Sequence, residues 1–139
     1  MSALLSLLVL DPTLRPLRYY SAWLMYAAIV IMGSIPGARA GIGHYASGLV
    51  LHSLAYAILT FLIFTGGTGN ARRRALKAVL TVALMGACDE LVQLFFTYRG
   101  AAVSDWLVDC NAALITAALL WALLPNATPA PKSRTARPS

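Results

Sequence analysis

The sequence predicts an all-α integral membrane protein, a four-helix bundle with both termini in the cytoplasm. Three observations predict it. Of the 139 residues, 59% are hydrophobic and only 12% charged, about half the charged share of a soluble domain, and mean hydropathy is +0.70. Too little polar surface is left to cover a water-soluble globule. Four apolar stretches of roughly 20 residues follow one another, each long enough as a helix to cross a ~30 Å hydrocarbon core. The basic residues fall on one side of that topology.

Residues 1–16 form an N-terminal segment. Met1 to Leu10 are apolar but too short to span, and Asp11-Pro12 closes them, so an interfacial helix is expected. The first span runs from Leu17 to Ile35 and stops at Pro36-Gly37. Arg15 and Arg18 before it and Ala38-Arg39-Ala40 after it resemble a cleaved leader, but the apolar run is long for one. The second span runs from Tyr45 to Phe64, and Thr65 to Asn70 (TGGTGN) reads as a turn that lacks the lysine and hydroxyl of a P-loop. The basic cluster Arg72, Arg73, Arg74 and Lys77 follows it. The third span runs from Leu76 to Thr97, Tyr98 to Ala102 is a short turn, and the fourth span runs from Val103 to Leu124, ended by Pro125. The four-helix domain thus covers 17–125, and the Pro-, Ala- and basic-rich tail 126–139 is expected to be disordered.

Orientation follows from the cations. With four spans and an inside N-terminus, Arg15, Arg18, the four-residue cluster, Lys132, Arg134 and Arg137 fall inside, and only Arg39 and Arg99 outside. This is the positive-inside pattern. It also accounts for the net charge of +6 without nucleic acid; no nucleic-acid motif is present. Cys88 and Cys110 sit in apolar stretches and read as small buried hydrophobes, with neither a disulfide nor a metal site indicated.

The acids carry the functional information. Of five, four lie in the third and fourth spans: Asp89, Glu90, Asp105 and Asp109. A carboxylate at the bilayer centre costs about 2.5–3.5 kcal/mol where a Leu returns about 0.3–0.6, so these acids require partners, water or protons. Asp105 and Asp109 share a helix face, as do Asp89 and Gln93, and on the second span His52 and Tyr56. Counted from the short outer turn, at 1.5 Å rise per residue, all reach one layer in the outer half of the membrane. Arg99 in that turn is the cation able to fold over them. Two readings stay open: a polar network that fixes helix register, or an outward-facing pocket built from His52, Tyr56, Asp89, Glu90, Gln93, Arg99, Asp105 and Asp109. No His/Cys ligand pattern marks a metal, and no cofactor is indicated.

Asp89-Glu90-Leu91-Val92-Gln93 (DELVQ), then Arg99, then Asp105 and Asp109, with His52 and Ala55-Tyr56 on the preceding helix, resembles the signature of the VanZ-like family of small polytopic bacterial membrane proteins. The resemblance covers His52 to Leu124. It departs from the family at Gly48-Leu49, where Asp-Lys is usual, and at Ala112-Ala113, where glycines are usual. It implies a multi-pass protein of the bacterial cytoplasmic membrane. Because the family's namesake is associated with resistance to the glycopeptide teicoplanin, it also implies a role in the cell envelope. The expected partners are membrane lipids or a lipid-linked envelope precursor, bound in the outward pocket. The rival is an enzyme acting on a membrane lipid, with His52 as general base and Glu90 or Asp109 as general acid, although Ser53 and Ser104 show no recognisable nucleophile motif. Oligomeric state is not encoded in any feature of the sequence.

Overall fold

The computed structural model describes residues 11–37, 48–96 and 102–124. The predicted interfacial segment 1–10, the loop with Arg39 and His44, the turn with Arg99, and the basic tail lie outside the described residues. Every regular element among the described residues is helical: a 3-10 turn at Pro12–Leu14, then α1 (Arg15–Ser34), α2 (Gly48–Gly66), α3 (Ala71–Gln93) and α4 (Val103–Leu123).

Local chemistry sets the helix ends. The Asp11 carboxylate accepts hydrogen bonds from the Thr13 amide (2.8 Å) and hydroxyl (2.7 Å), turning the chain into α1. Pro16 occupies the first turn of α1, where a missing N–H is harmless. The Asn70 side chain accepts from the Arg73 amide at 2.9 Å and caps α3. That cap corrects the expected start of the third helix. Arg72, Arg73 and Arg74 do not precede the helix in a loop but, with Lys77, lie in its first two turns. At its other end α3 stops at Gln93 rather than Thr97, and tight backbone bonds from the Leu94, Phe95 and Phe96 amides close it.

α2 packs against the other three helices, α3 and α4 lie along each other, and α1 rests mainly on α2 with a smaller contact to α3. The buried positions recur at helical spacing. On α3 they are Ala71, Arg74, Ala78, Val82, Met85, Asp89 and Gln93, joined by Gly86 and Glu90; on α4 they are Asp109, Ala113 and Ala117. Tyr56, Leu59, Ile63 and Phe64 of α2 fill the centre. Small residues bring backbones together. A Cβ on Gly66 would sit 2.8 Å from the Tyr19 amide nitrogen and 3.0 Å from the Arg15 carbonyl, so only glycine admits α1 this close to the end of α2. Among the bonds that cross between helices, Tyr26 Oη donates to the Met85 carbonyl at 3.0 Å, and Trp106 Nε1 donates to the Ala83 carbonyl at 2.9 Å.

The outside is as apolar as the inside. Leu76, Leu80, Leu84 and Leu91 of α3, and Leu107, Leu114, Ile115 and Leu119 of α4, are exposed. A surface of this kind suits lipid contact. By length and composition α2 and α4 qualify to cross a membrane. α1 and α3 do not, because α1 carries Arg15 and Arg18, and α3 carries basic residues in its first turns and Asp89 and Glu90 near its end. Both cysteines are free, and Cys88 is exposed rather than buried as its apolar context suggests. It falls off the α3 stripe that faces the core.

Candidate functional site

The start of α2, the end of α3 and the start of α4 meet at one end of the helix set. His52 enters from the second turn of α2, and Asp109 from the second turn of α4. His52 Nδ1 lies 3.1 Å from Asp109 Oδ1. Asp109 is fully buried (0% exposed) and His52 nearly so. An ionised Asp109 can only accept, so with the carboxylate charged the proton sits on Nδ1 and the contact fixes the imidazole's orientation and tautomer, the role a carboxylate plays behind a working histidine. Tyr56, one turn along α2, stacks on the imidazole with ring centroids 5.9 Å apart and planes 4° from parallel.

Two polar atoms here lack a hydrogen-bond partner: Tyr56 Oη and Asp109 Oδ2, both wholly buried. Buried polar atoms are nearly always satisfied, and an unsatisfied one costs roughly 1–3 kcal/mol. Two of them beside one imidazole mark a place where the fold is under-satisfied by its own groups. Gly86 of α3 makes room for the carboxylate: a Cβ there would lie 3.0 Å from Asp109 Oδ2 and 3.2 Å from Trp106 Cδ1.

A second polar set occupies the end of α3. Gln93 Nε2 donates to Asp89 Oδ2 at 3.0 Å and lies 3.5 Å from Glu90 Oε1. The other Glu90 oxygen accepts from the Ala102 amide at 2.7 Å, tying the start of α4 to the end of α3. Asp89 and Gln93 are both buried on the core-facing stripe. Asp105, in the first turn of α4, is only half-buried. Asp89 and Asp105 both lie within Coulombic range of Asp109. Beside Glu90 an apolar groove of about 450 Å³ runs between α3 and α4, walled by Ala87, Leu91, Leu94, Ala102 and Trp106.

The expected residues therefore divide. His52, Tyr56 and Asp109 form one directly contacting group, and Asp89, Glu90 and Gln93 form a neighbouring one. Asp105 stands at the edge without a side-chain bond to either, and Arg99 lies outside the described residues. No group of three or more His, Cys, Asp or Glu side chains suited to a metal occurs among the described residues. Two buried arginines escaped the sequence reading, which assigned all the cations to loops and tails: Arg18 and Arg74, 7% and 8% exposed, at the opposite end of the helices. The signal that could have found Arg74 is its register, since it begins the α3 stripe Arg74, Ala78, Val82, Met85, Asp89.

A model of the family described as VanZ/LLP1 matches residues 5–124. No curated protein and no solved structure gives a significant match.

Proposed function

The chain belongs to the VanZ/LLP1 family, and from that premise we propose a multi-pass protein of the bacterial cytoplasmic membrane whose acidic end binds a lipid headgroup or lipid-linked envelope precursor at the outer leaflet. One observation carries this reading. Buried, under-satisfied polar atoms (Asp109 Oδ2 and Tyr56 Oη) accompany an oriented His52, and an apolar groove opens beside Glu90 in the same end of the fold. Such a groove suits an acyl or prenyl chain, and polar groups converging beside it suit the headgroup. In this arrangement His52, Tyr56, Asp89, Glu90, Gln93, Asp105 and Asp109 meet the ligand's hydroxyl, amide or amine groups. Arg99, from the outer turn, pairs with its anionic group. The cation count supports an orientation with both termini inside and this end outside. Binding there would sequester an envelope precursor from the drugs that recognise it, which gives the family's link to glycopeptide susceptibility a physical route.

The test is a binding measurement. The full chain, purified in mild detergent, is titrated with a short-chain lipid-linked disaccharide pentapeptide precursor and, separately, with phosphatidylcholine of equal chain length. The expected outcome is saturable, one-to-one binding of the precursor that Glu90→Gln weakens. Equal affinity for both lipids, or equal affinity of the variant, refutes it.

The His52–Asp109 pair favours a second reading: an enzyme acting on a membrane lipid, with His52 as general base. The same titration decides it, since product accumulating beyond one equivalent per chain means turnover and unchanged precursor means binding.

A further inference from the structure

At the end of the helices opposite the acids, we propose a second site, one that takes the phosphate group of an anionic phospholipid. It begins with Arg74, whose guanidinium lies 4.8 Å above the Phe64 ring. The side chain is 92% buried, since its exposure is 8%, and its Nε has no hydrogen-bond partner. No carboxylate pairs with it among the described residues. A buried guanidinium presents a planar fork of donors suited to phosphate. Left without an anion, it is an expensive group to keep in a core.

The surroundings point to the same ligand. Arg74 lines a hollow of about 440 Å³ that also takes in Tyr19, Gly66, Gly67, Thr68 and Lys77. Arg15 and Arg18 are close enough to act on Arg74 through their charge. The described residues of this end hold six cations (Arg15, Arg18, Arg72, Arg73, Arg74 and Lys77) and a single acid, Asp11. Asp11 is already engaged by Thr13. Arg18 donates to the Thr65 carbonyl at 3.1 Å and the Asp11 carbonyl at 3.0 Å, and so ties the end of α2 to the start of α1 beside the hollow. The hollow mixes polar and apolar walls, is strongly positive, and has no acid in its lining.

Its level in the membrane selects a headgroup over a soluble anion. Tyr19 on its rim is followed one turn later by Trp23, the rings edge-to-face at 6.4 Å, and both side chains are exposed. Exposed aromatics of this kind settle at the headgroup layer. Basic pockets between helices on the cytoplasmic side bind anionic headgroups there. The site would anchor the inner end of the protein in anionic lipid, and it uses none of the residues of the acidic end.

The experiment uses the full chain in neutral detergent at low ionic strength. Dioctanoyl phosphatidylglycerol, dioctanoyl phosphatidylcholine and inorganic phosphate are titrated in parallel, followed by native mass spectrometry and thermal stability. Saturable binding of one phosphatidylglycerol per chain is expected, at least tenfold tighter than phosphatidylcholine. Arg74→Gln should weaken it at least tenfold and Lys77→Gln about threefold, while Arg72→Gln, outside the hollow on the exposed face, weakens it less than Lys77→Gln. Lys77 is exposed, so its variant tests the site even if Arg74→Gln does not fold. Inorganic phosphate binding as tightly as phosphatidylglycerol would overturn the lipid source. Equal loss of affinity in Lys77→Gln and Arg72→Gln, or no loss in either Arg74→Gln or Lys77→Gln, would overturn the site.

Discussion

Replacing Asp109 in two ways separates what its oxygens do from what its charge does. Asp109→Leu removes both oxygens and keeps the branched outline of the side chain, with two methyl groups in their place. The lost interhelical hydrogen bond at 3.1 Å is worth on average about 0.6 kcal/mol in a membrane, rising to ~1.7 for the strongest. The nearly buried His52 is then left without its carboxylate partner, which adds part of the ~1–3 kcal/mol that an unmatched polar group costs. The expected total is about 2 kcal/mol, or a fall in midpoint of roughly 8 °C at ~4 °C per kcal/mol for a chain of this size. Asp109→Asn keeps an acceptor oxygen facing His52 and places an NH2 where Oδ2 now has no partner. Its expected cost is under about 1 kcal/mol, within roughly 4 °C of the native chain. Thermal unfolding in detergent, followed by intrinsic fluorescence, reads both. If the acidic end works through charge, Asp109→Asn also abolishes precursor binding while the fold survives. Equal losses of stability in the two variants would refute the reasoning, because the charge itself would then be structural. Native stability together with native binding in Asp109→Asn would leave the polar network as a device for helix register alone.

Three further outcomes follow from the geometry. Gly66→Ala should destabilise by about 1–3 kcal/mol, the usual range for overpacking, because its Cβ would meet the Tyr19 and Arg15 backbone rather than a flexible side chain; a stability gain in thermal unfolding, as helix propensity alone would give, would contradict the close α1–α2 approach. With Cys88 and Cys110 replaced, a cysteine at Arg73 should react with a membrane-impermeant thiol reagent only after the cells are opened, and labelling of intact cells would reverse the proposed topology. Two bonds from Thr13 hold the Asp11 carboxyl below the usual carboxylate range. A carboxyl with a depressed folded pKa contributes its stability above the unfolded value, near 3.9, and loses it as pH falls through the folded one. Hydrogen exchange at the Thr13 amide should therefore stay slow through neutral pH and lose its excess protection, relative to an Asp11→Ala chain, only below about pH 4; protection lost already near neutral pH would exclude the cap.

The sequence by itself determined the helices and their apolar character. Run length, Pro36-Gly37, the TGGTGN turn and the scarcity of charge are local or compositional properties, and they place four helices close to where they lie. It also determined which acids share a face, because 3.6-residue periodicity is intrinsic to the backbone; the Gln93–Asp89 bond needs no other helix. What it could not determine was how far each helix is turned about its axis. In a soluble helix a polar stripe answers that question. Here the leucines of α3 and α4 lie on the outward faces, and the inward stripes are built mostly of small and polar residues, the reverse of the soluble rule, so turning the most apolar face inward would set the rotation wrongly. Packing of small residues decides it instead. Gly86 lets Asp109 and Trp106 press against α3, and that rotation brings Asp109 to His52 rather than to Asp105's half-exposed edge. The same contacts turned Cys88 outward and drew Arg74 over Phe64, because once α3 is fixed by Gly86 and its Ala-rich stripe, every other residue on it has no choice of face.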